Sequence, residues 1–186
     1  MEDQGIIDLY WARSEQAIAE SETKYGTFCR AIARNILRQE EDAEECVNDT
    51  WLHAWNAMPP QRPSVLSAFF GKITRNLSLD RWRHSRASKR GGPQVEVALE
   101  ELEHCLPAPG RPEERLEERE TAALISRFLR EQSDLDRNLF LRRYWYLDSI
   151  STLAKRFHLS ESQTKSRLHR IRLRLREALM REGVAV

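Results

Sequence analysis

One stretch of this chain reads as a helix and as nothing else. Residues 66–90, LSAFFGKITRNLSLDRWRHSRASKR, carry Lys72, Arg75, Arg81, Arg83, Arg86, Lys89 and Arg90 against a single acid, Asp80. At about 100° per residue the stretch divides into two arcs. Leu66, Phe69, Phe70, Ile73 and Leu77 fall on one, and that arc needs a core. Lys72, Arg75, Asn76, Leu79, Arg83 and Arg86 fall on the other. With almost no acids to pair with, the second arc does not read as a salt-bridged surface helix. Cations at this spacing suit a phosphate backbone, with Asn76 as a base reader and Trp82 as a stacking partner.

The remaining charge is segregated around that helix. At 186 residues the chain holds one domain or two small ones, and its net charge of +1 hides the pattern. Residues 1–60 hold 12 acids against 5 Lys/Arg, and residues 93–120 hold 9 acids against 3 arginines. Positive charge collects in 66–90 and in 160–181. This suggests two nucleic-acid surfaces and separate acidic surfaces for another partner. No run of 18 apolar residues occurs, and MEDQGIIDLY lacks a basic n-region and an apolar h-region. Neither a membrane span nor a secreted precursor is expected. Cys29, Cys46 and Cys105 are odd in number and show no CxxC spacing, which suits a reducing cytoplasm.

Helical periodicity covers most of what remains, so the expected fold is all-α. Residues 6–22 and 25–38 read as two helices. In 41–58, Ala43, Cys46, Val47, Thr50, Trp51, Ala54, Trp55 and Met58 follow the spacing of a buried stripe. Acids at 40–45 favour that helix start through the macrodipole, and Pro59, Pro60 and Pro63 end it. With the cationic helix this makes an N-terminal helical bundle over residues 1–88. Gly91, Gly92, Pro93, Pro107, Pro109, Gly110 and Pro112 then punctuate an acidic, flexible linker over 89–112. Its Val95–Leu106 portion leaves room for local structure.

Helices return in 113–186, at 113–131, 135–146, 149–157 and from Ser160 to about Arg181. Ser160 and Gln163 form an S-x-x-Q capping box, with Leu159 where a hydrophobic staple residue sits. Thr164, Leu168, Ile171 and Leu175 point inward, leaving Gln163, Lys165, Ser166, His169 and Arg170 outside. A short helix, a tight turn and a capped helix with an exposed basic start describe a helix-turn-helix. Its second helix lies in the major groove. Arg170 and Lys165 suit guanine, Gln163 adenine, and Ser166 a base edge or a phosphate. Arg167, Arg172, Arg174 and Arg176 are expected on phosphates or acids.

Three blocks in one order carry a family resemblance. DAEECVNDTWLHAW (42–55), SAFFGKITRNLSLDRWR (67–83) and LDRNLFLRRYWYLDSISTLAKRFHLSESQTKSRLHRIRLRLRE (135–177) together resemble the extracytoplasmic-function (ECF) sigma factors of bacterial RNA polymerase. The resemblance implies that Asp42, Glu45, Asn48 and Asp49 dock on core polymerase. It implies that Lys72, Arg75, Asn76 and Arg83 engage the minus-ten element, with the Pro59–Ser67 loop helping to trap a flipped base. Gln163, Lys165, Ser166, His169 and Arg170 would read the minus-thirty-five element. The linker would thread toward the active centre, and an anti-sigma factor would be a further partner. The expected function is promoter recognition, DNA melting and transcription initiation in the cytoplasm, without membrane insertion.

Catalysis and cofactors are not expected. His53, His84, His104, His158 and His169 are scattered without ligand spacing, and no P-loop or GxSxG is present. His104 and Cys105 read as an exposed pair, and Cys29 and Cys46 as core residues. The chief rival is an autonomous dimeric helix-turn-helix regulator. That rival would have no use for the 42–55 and 67–83 blocks.

Overall fold

The computed structural model describes residues 1–37, 39–86, 93–106 and 115–184, and among these there are helices and turns but no strand. The chain forms two compact units, Met1–Gly92 and Pro93–Val186. Residues 89–92 and 107–112 of the expected linker lie outside the described residues.

The first unit contains α1 (Asp3–Trp11), α2 (Gln16–Ile36), α3 (Glu40–Ala57) and α4 (Leu66–Arg86). Sequence periodicity puts a break near residues 23–24, yet α2 runs straight through it. The chain turns instead at 12–15, where Arg13 takes a left-handed conformation with φ 54°. Gly26, inside α2, leaves room for Glu22 Oε1 to accept from Arg30 Nη1 (2.6 Å) across it. A Cβ at residue 26 would stand 2.3 Å from that carboxylate oxygen.

Phe70 centres the core of this unit, with the rings of Tyr10, Tyr25 and Trp51 at 6.3, 5.4 and 5.1 Å. Tyr10 Oη and Ser21 Oγ share a buried hydrogen bond of 3.0 Å, and Trp51 Nε1 donates to Glu22 Oε2 at 2.9 Å. The polar atoms of Tyr10 and Trp51 are therefore satisfied although their rings are buried. α3 buries Ala43, Cys46, Val47, Thr50, Trp51 and Ala54, the stripe its spacing predicts.

α4 departs from its predicted arc. Its buried line is Leu66, Phe70, Thr74, Ser78 and Trp82, while Phe69, Ile73 and Leu77 are half-buried. Thr74 and Ser78 meet Thr50 and Cys46 of α3 in a seam of small polar groups. Thr50 Oγ1 and Thr74 Oγ1 lie 3.0 Å apart, and Cys46 Sγ and Ser78 Oγ 3.1 Å apart. Each threonine hydroxyl also bonds back to its own helix, Thr50 to the Cys46 carbonyl and Thr74 to the Phe70 carbonyl. Satisfied hydroxyls and short side chains let the two helices close without an apolar pair at these levels. Trp82 belongs to this core at 5% exposure, which corrects its reading as a stacking partner for bases.

The second unit contains α5 (Pro93–Glu103), α6 (Arg115–Glu131), α7 (Asp134–Phe140), α8 (Ile150–Arg156) and α9 (Glu161–Arg181). α7 continues into a π-helical turn over Leu141–Trp145. The segment read as part of a flexible linker thus supplies a helix to this unit. Val95, Ala98 and Cys105 are buried, so the segment contributes to a core as well as carrying charge. Its anchor is the Glu101 carboxylate, which accepts from Tyr144 Oη (2.9 Å), Arg143 Nη2 (3.3 Å) and Arg172 Nη1 (3.3 Å). α9 starts on the expected capping box. Gln163 N–H donates to Ser160 Oγ at 3.1 Å, and Ser160 N–H donates to Gln163 Oε1 at 2.8 Å. Thr164, Leu168, Ile171, Leu175 and Leu179 are its buried line.

Candidate functional site

The acidic start of α3 and the cationic α4 lie side by side in the first unit. Asp42 and Asp49 are partly exposed, and Glu45 and Asn48 are exposed. The three carboxylates converge on one cation, Arg81 of α4. Its Nη1 lies 2.8 Å from Glu45 Oε2 and 3.8 Å from Asp42 Oδ1, and its Nη2 lies 3.5 Å from Asp49 Oδ2. The Glu45 hydrogen bond leads the effects that hold the Arg81 guanidinium above its ordinary pKa. Arg81 thus lies off the cationic arc of Lys72, Arg75, Asn76 and Arg83 and faces α3. Its four-residue spacing from Leu77, on the core arc, is the signal that places it there.

Beside this array, Asn48 joins the rim of an open groove of about 940 Å³ between α2 and α3. Ile18, Ala19, Trp51, Leu52 and Trp55 line it, and its border carries Glu15, Glu44 and Glu22, the last paired with Arg30. Leu52 is 56% exposed there. An apolar channel with acidic margins is chemically suited to a cationic amphipathic helix.

On α4, Lys72, Asn76 and Arg83 are exposed, and Arg75 is half-buried. Burial first, and Arg83 second, push the Arg75 guanidinium below its ordinary value. Arg83 also pairs with Asp80 at 3.0 Å, a solvent-exposed i, i+3 contact. The stripe is thus less free of acids than its sequence implies, with Arg83 engaged by Asp80.

The Pro59–Ser67 loop is tied to α1 from two sides. Trp11 Nε1 donates to the Gln61 carbonyl (3.2 Å), and Arg62 pairs with Asp8 while stacking over the Trp11 ring at 5.2 Å.

In the second unit, Lys165, Ser166, His169 and Arg170 are exposed along the first half of α9. Gln163 is exposed as well, but its Oε1 is committed to the cap, leaving its amide nitrogen for any base contact. Of the four arginines expected on phosphates or acids, Arg167, Arg172 and Arg174 meet acids. Arg167 Nη1 and Arg174 Nη2 each lie 2.8 Å from Asp136, and Arg172 reaches Glu101. These pairs fix the roll of α9 on its neighbours. Cys105 is 3% exposed, not the surface residue its sequence context suggests, and burial pushes its thiol up. Cys29 and Cys46 are buried core residues.

Among the described residues no three His, Cys, Asp or Glu side chains are grouped to hold a metal ion. No helix among them is long and apolar enough to cross a membrane. No curated protein matches the chain. Residues 23–88, from within α2 to just past the end of α4, match the family model for sigma-70 region 2. That match supports a sigma-70 family factor, a class of proteins that are not enzymes and that act in promoter recognition and melting.

Proposed function

We propose that the chain is an ECF-type sigma factor that binds core RNA polymerase and directs promoter recognition, melting and initiation. The observation that carries this reading is the pairing of faces within residues 23–88. An acidic array on α3 and a cationic face on α4 sit on adjacent helices of the matched segment.

Asp42, Glu45, Asn48 and Asp49 dock on core polymerase, next to the acid-rimmed α2/α3 groove. Lys72, Arg75, Asn76 and Arg83 track the minus-ten element. Lys165, Ser166, His169 and Arg170, with the Gln163 amide, read the minus-thirty-five element from α9, where α8, the turn at 157–160 and α9 act as a helix-turn-helix. Neither DNA face is large, so polymerase holds both units on one promoter and raises the effective concentration of each for its element. Unstacking costs a few kcal/mol per step, and capture of an extruded base beside the Pro59–Ser67 loop offsets part of it. An anti-sigma partner covers these surfaces when the factor is silent, in the cytoplasm.

Run-off transcription with purified core polymerase on promoter-bearing DNA tests the proposal. Chain-dependent specific transcripts are expected. Polymerase-independent binding to a palindromic operator, without transcripts, would establish the autonomous regulator instead.

A further inference from the structure

We infer that Arg81 is a positioning residue for polymerase docking: it holds the Asp42, Glu45 and Asp49 carboxylates in a fixed array for an incoming cationic partner. The inference rests on the docking face proposed above and adds a residue of the opposite charge to it.

The geometry separates a support from a competitor. The Arg81 side chain is 27% exposed, whereas Asp42, Glu45 and Asp49 remain 41%, 66% and 42% exposed. The cation therefore lies beneath the acids, on the α4 side, and their outer oxygens face solvent. A guanidinium presents five N–H donors, and a carboxylate accepts at about four lone-pair positions. Each acid can thus keep its ion pair with Arg81 and still accept from a partner. Arg81 Nη1 also donates to the Asp42 main-chain carbonyl at 3.3 Å, which ties the fork to the first turn of α3.

Two consequences follow from elementary electrostatics. Three carboxylates crowded on one helix face repel one another, and a central cation lets them stand together. Side chains ordered before binding lose less rotamer freedom on binding, which slows dissociation of the complex. Arg81 also lowers the net charge of the array, and so tempers the long-range attraction of cationic surfaces in general. Its removal is expected to move the two rate constants in the same direction, a signature that loss of fold cannot produce.

The test measures association and dissociation of full-length chain with core polymerase at low salt. Arg81→Ala is expected to associate about twofold faster and dissociate about twentyfold faster, for binding roughly tenfold weaker. Arg81→Met, which retains the aliphatic stem, is expected to behave alike. Arg81→Lys keeps the charge without the fork. It is expected to restore the native association rate while dissociation stays fast. An unchanged dissociation rate in Arg81→Ala, or weakening through slower association alone, overturns the inference. Charge reversal at Asp42 and Glu45 separates the two levels. If reversal abolishes binding while Arg81→Ala leaves it intact, the inference fails and the docking face stands. If neither change matters, the docking face fails with it.

Discussion

α4 and α9 are both cationic outside, and they are held from inside by different means. At the middle of its seam α4 seats against α3 through neutral hydroxyl and thiol contacts, Thr74 to Thr50 and Ser78 to Cys46, with charge pairing to α3 confined to Arg81 near its end. α9 seats through an apolar line, Leu168, Ile171, Leu175 and Leu179, flanked by arginines that reach Asp136 and Glu101. The contrast teaches how to sort a cationic helix. On α9 the leucine line separates arginines engaged with acids from Lys165, His169 and Arg170, which lie across from it. On α4 no such line exists at the middle of the seam, and a count of basic residues overstates the surface left for DNA.

The largest effect that would sharpen this comparison is at Glu101. Arg143 is 2% exposed, and it also donates to the Asp148 carbonyl at 3.2 Å. Glu101→Ala leaves a buried cation short of its counter-charge, which costs about 3–5 kcal/mol. Urea unfolding followed by hydrogen exchange over residues 115–184 is expected to show that loss in the second unit alone. A loss below about 1 kcal/mol would mean that the charge pairs on α9 are ornament and that the two helices are held alike.

Next in size is the outward face of α9. Arg170→Ala with Lys165→Ala removes base-edge contacts each worth about 1–3 kcal/mol of discrimination. Polymerase-dependent binding to promoter duplex is expected to weaken by that order, with polymerase affinity and unfolding midpoint unchanged. Arg167→Ala should do the reverse, sparing discrimination and lowering stability, because its guanidinium lies on Asp136. Equal DNA defects in the two variants would break the sorting rule.

The polar seam of α4 gives a smaller signal. Thr74→Val removes a hydroxyl while Thr50 keeps its bond to the Cys46 carbonyl at 2.8 Å, so no buried hydroxyl is stranded and only the weak Cys29 thiol contact is lost. A change of about 1 kcal/mol or less in urea unfolding is expected. A loss several times larger would show that the hydroxyl pair is the principal tie between α3 and α4.

The same contrast explains what could be read from residue order. α3 and α9 were legible because leucine, valine, tryptophan and isoleucine mark their buried lines, and because Ser160 and Gln163 carry a local capping signal. α4 was set one residue off, since Thr74 and Ser78 count as polar although both are fully buried. The break read between residues 22 and 25 does not occur, and the Glu22–Arg30 bridge spans that stretch of α2. The outward residues of α9 and α4 emerged from periodicity, and those of α3 from motif resemblance. Arg81 with Glu45, 36 residues apart, and Glu101 with Arg172, 71 apart, have no local signature. Only the fold brings them together, and α5 was taken for linker for the same reason.

The smallest expected effect is a change of slope with pH. Burial raises the Asp136 carboxyl, but hydrogen bonds from Arg174 and Arg167 outweigh it and leave the group below its ordinary value of 3.8. A carboxyl depressed in the folded state stabilises above its unfolded pKa, about 3.9, and that contribution disappears as pH falls through the folded value. Acidification from about pH 5 downward should therefore destabilise the second unit of the native chain more steeply than that of Asp136→Asn, and the two should run parallel above pH 5. At neutral pH the difference is modest, because the Arg167 and Arg174 side chains are 37% and 46% exposed and solvent screens them. Unfolding midpoints across pH 2.5–7 give the comparison directly. Curves that stay parallel throughout would leave the leucine line as the sole determinant of how α9 presents Lys165 and Arg170. Curves that separate only in acid would assign part of that orientation to a single carboxylate between two arginines.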